Sequence, residues 1–123
     1  MMMKKLLVLL VLVMFVVAVS VATASEQPTM GEKNAVKKAI TYLKYSAFSK
    51  TGLVKQLEYE GYTSSESNYA VNHIEVDWNE QAAKKAETYL KYSSFSRKGL
   101  IDQLEYEGFT REQAEYGVES VGY

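Results

Sequence analysis

The chain has 123 residues, with 14 basic and 15 acidic side chains and a formal net charge of −1. The absence of cysteine removes disulfides, thiol chemistry and thiolate metal sites. Without an excess of Lys and Arg there is no basic patch to neutralise phosphates, so nucleic acid is not an expected partner.

In chain order, the first segment is an export signal. Lys4 and Lys5 give a basic start, residues 6–19 form an unbroken apolar run, and Ala22-Thr23-Ala24 is a small-residue cleavage site. Two outcomes fit this pattern. Cleavage before Ser25 leaves 99 of the 123 residues, whereas retention lets the uncharged residues 6–24 associate with the membrane as an anchor. Residues 25–28 read as a short linker.

Three short helices follow. The first is predicted to open at Thr29, where Thr29-Met30-Gly31-Glu32 has the form of a capping box, with Ala35, Val36, Ala39 and Leu43 on one face. Ser49 is the N-cap candidate of the second, whose apolar stripe is Leu53, Val54 and Leu57 and whose end is set by Gly61 with Tyr62 behind it. Thr63-Ser64-Ser65-Glu66 opens the third, with Ser67, Val71 and Ile74 facing inward.

The pattern then repeats. Residues 82–118 match residues 35–71 at a constant offset of 47, with 23 of 37 positions identical. Asp77-Trp78-Asn79-Glu80 again resembles a capping box, Ser96 replaces Ser49, Gly108 replaces Gly61, and Thr110-Arg111-Glu112-Gln113 opens the last helix. No comparable β-period run exists. The expected fold is all-α: two tandem three-helix repeats (residues 29–76 and 77–123) with helix-turn-helix-like units behind the N-terminal segment. Between the units, the chain either breaks at Asp77 or runs on as a stiff helical link, and Trp78 at this junction is expected to pack.

Catalytic equipment is not visible. His73 is the single histidine, and Ser120 stands in its place in the second unit. Without a second histidine or a cysteine it has no partner for base or metal chemistry, so it reads as a solvated helix residue. Ser46, Ser49, Ser93 and Ser96 sit at helix junctions, where capping needs them. Glu58 and Glu60, like Glu105 and Glu107, are two apart on a helix and do not face each other. No catalytic, metal or cofactor site is expected, and the protein is not expected to be an enzyme. The helix-turn-helix shape does not rescue DNA binding, because the third helices carry acid where phosphate contacts want Lys and Arg.

Ten tyrosines remain to be explained, and most recur in register: Tyr42 with Tyr89, Tyr45 with Tyr92, Tyr59 with Tyr106, Tyr69 with Tyr116. Tyr59 and Tyr106 lie away from the leucine stripes and are expected at an interface, where tyrosine combines a large contact area with a polar tip. Tyr42 and Tyr89 read equally as core or interface. Charge separates the units: residues 25–76 hold 6 basic and 6 acidic side chains, and residues 77–123 hold 6 and 9.

The repeated pattern A-x-x-Y-L-x-Y-S-x-F-S-x-x-G-L-x-x-Q-L-E-Y-E-G-[FY]-T, ending in x-Y-x-V, resembles the Ltp family of host cell surface-exposed lipoproteins. The resemblance implies a helix-turn-helix-like repeat exported in a Gram-positive bacterium. For prophage-encoded members it also implies superinfection exclusion, in which DNA passage from an incoming phage is blocked at the outer face of the cytoplasmic membrane. The implied partner is the phage tail tape measure protein. Residues 21–25 lack the family's lipobox cysteine, so lipid anchoring there is excluded, leaving a retained apolar segment or release.

These readings converge on an exported, non-catalytic binding protein. The acidic second unit is expected to hold its partner through Asp102, Glu105, Tyr106, Glu107 and Tyr116, with Tyr59 and Glu60 adding a second contact from unit one. Reversing Glu105 and Glu107 to lysine together is expected to abolish protection without unfolding. The alternative is a host cell-surface or cell-wall interaction module without a phage role.

Overall fold

Thr29 starts the first helix as expected. Its hydroxyl accepts from the Glu32 amide at 3.1 Å, and the Glu32 carboxylate accepts from the Thr29 amide at 3.0 Å. The computed structural model describes residues 27–123; the expected export segment, and Ser25 and Glu26 of the short linker after it, lie outside the described residues. Helix α1 spans Met30–Tyr45, α2 Lys50–Tyr59, α3 Ser64–Asn72, α4 Trp78–Tyr92, α5 Arg97–Tyr106 and α6 Arg111–Ser120, with no strand among the described residues. None of these helices is long and apolar enough to cross a membrane.

Local chemistry accounts for the boundaries. Ser49 and Ser96 accept from the amides of Gly52 and Gly99, both at 2.9 Å. Gly61 and Gly108 take φ of 107° and 105°, conformations open to glycine because it has no Cβ. The amides of Tyr62 and Phe109 then return to the carbonyls of Leu57 and Leu104, both at 3.1 Å, closing the Schellman turns. Thr63 with Glu66 and Thr110 with Gln113 form full capping boxes.

The junction between units is a break. Helix α3 ends at Asn72, and Asp77 caps α4 by accepting from Asn79 at 3.0 Å and Glu80 at 3.2 Å. The Glu80 side chain does not return to the Asp77 amide, so half of the expected box forms.

Each unit closes around its own core. In the first, Ala35 and Ala39 of α1 and Ala70 and Val71 of α3 bury against Leu53 and Leu57 of α2. In the second, Ala82, Ala86, Leu100, Ile101, Leu104, Phe109, Ala114 and Val118 do the same. The small residues let the outer helices approach closely. At Gly117 a Cβ would stand 2.8 Å from the Ala82 carbonyl, so α4 and α6 come nearer than an alanine allows. Its counterpart in unit one is Ala70.

The units also touch. Trp78 packs against the first core. The Phe48 amide donates to Gln81 Oε1 at 3.1 Å, the Ser49 hydroxyl to the Glu107 carbonyl at 2.6 Å, and the Thr51 hydroxyl to the Gly108 carbonyl at 3.0 Å. The glycine turn of unit two is thus held on the N-terminus of α2, and Ser49 is buried where its counterpart Ser96 is exposed.

Candidate partner-binding surface

Tyrosines divide into those that build the fold and those that leave it. Tyr42 is edge-on to Phe48, with centroids 5.6 Å apart, and its hydroxyl donates to Glu60 while accepting from Gln56 Nε2 at 3.2 Å. Tyr89 repeats this with Phe95, Glu107 and Gln103, the last at 3.1 Å. Each latch ties the first helix of a unit to the end of its second. The Glu60 carboxylate beside Tyr42 raises its phenol above the ordinary 10.0, with burial adding to it. For Tyr89 burial is the larger cause and the Glu107 hydrogen bond the second.

Other rings point outward, while Tyr62 packs against the first core. Tyr59 is 87% exposed and Tyr106 86%, as expected from their place opposite the leucines, and Tyr116 is 45% exposed. Tyr45 and Tyr92, at the ends of α1 and α4, are nearly as open, which sequence reasoning passed over. At 100° per residue, position 45 lies about 120° round the helix from buried Ala39, so the signal was present. Tyr69 is half-buried and stacks on His73 at 3.8 Å, and His73 Nδ1 contacts the Tyr69 carbonyl at 2.8 Å. The histidine finishes a helix end. No group of three or more His, Asp or Glu among the described residues is placed to hold a metal ion.

The expected acidic site residues are more engaged than their composition suggests. Asp102 pairs with Lys98 at 2.7 Å. Glu105 and Glu115 share Arg111 at 3.2 and 3.0 Å, and both hold its guanidinium more firmly protonated. Glu107 belongs to the Tyr89 latch and, through its carbonyl, to the inter-unit contact. Glu60 belongs to the Tyr42 latch and lies 3.9 Å from Lys38. Glu105 and Glu107 therefore differ in kind: the first holds a surface pair, the second a structural latch.

Nor do the two units merge into one patch. Glu107 docks at the start of α2, so Tyr106 sits near that end and Tyr59 at the other, about 15 Å of helix rise away. The surface is two equivalent ring-bearing edges, with extra carboxylates on the second.

The profile of host cell surface-exposed lipoproteins matches residues 31–74 and 77–121, one match for each three-helix unit. The chain belongs to the Ltp family. The solved structure of Ltp, a superinfection exclusion protein from the Streptococcus thermophilus temperate phage TP-J34, is similar to it with a TM-score of 0.71 and 35% identity. That match covers 76% of this Ltp-family chain and 97% of the phage protein's. No curated protein matches. The Ltp repeat is therefore the scaffold on which the tyrosines and carboxylates are displayed, and the expectation of two tandem helical repeats holds.

Proposed function

We propose that this protein is a non-catalytic superinfection-exclusion factor. In this reading it is exported, held at the outer face of the cytoplasmic membrane, and blocks DNA passage by binding the tape measure protein of an incoming phage. The observation that carries the proposal is the likeness, at 35% identity over 97% of its chain, to a superinfection exclusion protein of a temperate phage. Exclusion by sequestration needs affinity and position, and no bond need be made or broken.

Tyr106, Tyr116, Asp102 and Glu105 form the main contact, with Tyr59 on the second edge. Tyr106 offers its whole ring to a partner, and the net acid of unit two favours a segment carrying basic and apolar side chains. Glu107 and Glu60 act indirectly by holding the latches under these rings. Two edges on one rigid scaffold allow bivalent capture of one extended segment.

The test is a phage challenge of a sensitive Gram-positive host expressing the full chain, with adsorption and DNA passage scored separately. Normal adsorption with blocked passage is expected, and Tyr106→Ala with Tyr59→Ala should restore infection at unchanged protein level. Neither ring takes part in a latch and both are exposed, so loss of folding does not explain that result. Full protection by the double variant would remove the assigned surface. Unimpeded infection across a broad phage panel by the exported wild type would favour a host cell-surface or cell-wall interaction module instead.

A further inference from the structure

The two units present different faces where their first helices meet solvent. On α1 the outward arc at 100° per residue holds Met30, Lys33, Lys37, Ile40 and Lys44. Met30 is 73% exposed and Ile40 45%, and none of the three lysines makes an ion pair among the described residues. Beside this arc runs an open groove of about 390 Å³, walled by Val36, Ile40, Leu43, Ile74 and Val76 and bordered by Lys44, His73 and Glu75. The equivalent arc on α4 holds Asp77, Glu80, Lys84, Glu87 and Lys91, and Ala83 stands in place of Val36. One scaffold thus carries an apolar face rimmed with lysine in unit one and a mixed, acid-bearing face in unit two.

We infer that the α1 face of unit one is a membrane-surface contact that rests on the headgroups of anionic phospholipids. The occupant follows from three observations. Lysines flanking exposed aliphatic side chains match a negatively charged interface with an apolar interior behind it. Unit one is the unit joined directly to the apolar residues 6–19, so a membrane holding that segment lies within reach of α1. The acidic unit two, joined through the other side of the α2 contact, carries no such face, which leaves its tyrosines free for a partner. The contact orients the molecule, with unit one toward lipid and unit two toward the wall. This is independent of the phage reading, since a bilayer test can fail while exclusion holds and the reverse.

The chain has no cysteine, so a single introduced thiol carries one label. Thr41 and Thr88 are equivalent exposed positions beside the two arcs, each donating only to the carbonyl four residues back, at 3.0 Å. Full chains bearing Thr41→Cys or Thr88→Cys are labelled with an environment-sensitive fluorophore. They are then added to vesicles of phosphatidylcholine alone or with phosphatidylglycerol. The N-terminal segment, with Lys4 and Lys5, is the same in both labelled chains, so the comparison of positions 41 and 88 reads the folded face.

The expected result is a blue shift at position 41 with phosphatidylglycerol, reversed by salt, and little change at position 88. Adding Lys33→Glu and Ile40→Glu gives unit one the residues that unit two already carries at Glu80 and Glu87, so the fold tolerates them. That pair should cut the phosphatidylglycerol-dependent shift at least about fivefold, the scale of one lysine at an anionic surface. Identical spectra at position 41 in both vesicle types, equal shifts at 41 and 88, or indifference to the two substitutions would each overturn the inference. A blue-shifted signal at position 41 before vesicles are added would overturn it too, because the face would already be covered by the chain's own apolar segment or by a second copy.

Discussion

Ser67 is fully buried and its hydroxyl has no hydrogen-bond partner, whereas unit two carries Ala114 at the same place. An orphaned buried hydroxyl loses its water without return, so Ser67→Ala should stabilise the protein by about 1 kcal/mol. An unchanged or lowered denaturation midpoint would show that the hydroxyl is satisfied in solution. Gly117→Ala should act in the opposite direction, because the new methyl carbon meets the Ala82 backbone rather than a flexible side chain. The latches predict a pH dependence. Tyr42 and Tyr89 have folded-state values raised above 10.0, so their stabilising effect is complete below about pH 10 and is lost as pH rises through the folded values. Denaturation midpoints between pH 8 and 11 should therefore fall more steeply for the wild type than for Tyr42→Phe with Tyr89→Phe. Among these residues the sequence revealed the recurring tyrosines. It did not reveal that Glu60 and Glu107 serve them, because the partners are 18 positions apart and meet only when the second helix folds back.

At the scale of elements, the caps were the most legible feature: Thr29, Ser49, Thr63, Ser96 and Thr110 each do what their position predicted, since capping depends on the next three residues alone. Asp77 caps without its glutamate returning, and the helix breaks there. The turns look alike in sequence but differ in place. Gly61 has nothing within 4 Å of a would-be Cβ, whereas at Gly108 that Cβ would lie 2.2 Å from Thr51 Oγ1 and 2.7 Å from Ser49 Oγ. Gly61→Ala should cost only the strain of a left-handed residue, about 1–2 kcal/mol. Gly108→Ala should cost more and loosen the units, read as a larger fall in unfolding midpoint together with a wider spread in a distance measured between labels on α1 and α4. Equal effects of the two substitutions would mean that the contact seen at Ser49 does not hold the units together.

For the whole molecule, two units of one sequence pattern have diverged most on their surfaces while sharing their central leucines. Leu53, Leu57, Leu100 and Leu104 are all fully buried, yet the α1 arc is apolar and basic where the α4 arc sets three carboxylates beside two lysines. The double reversal at Glu105 and Glu107 is a poor probe of binding, because Glu107→Lys also breaks a latch beside the inter-unit turn. Asp102→Lys leaves both intact, and it should weaken capture of a basic segment by about fivefold to tenfold in binding constant, as for a rim charge; retained affinity would place the contact on the tyrosines alone. By itself the sequence determined the helical class, the repeat, the caps and turns, and the family, because each is written in residues within one unit or in its recurrence 47 positions on. Tertiary structure decided which carboxylates are free, that the tyrosine edges are two and not one, and that a glycine turn of unit two seats on a helix start of unit one. Those outcomes depend on distances between side chains that the repeat pattern does not encode, and they are set by how α2 folds back on α1 and by where the chain turns at Asp77.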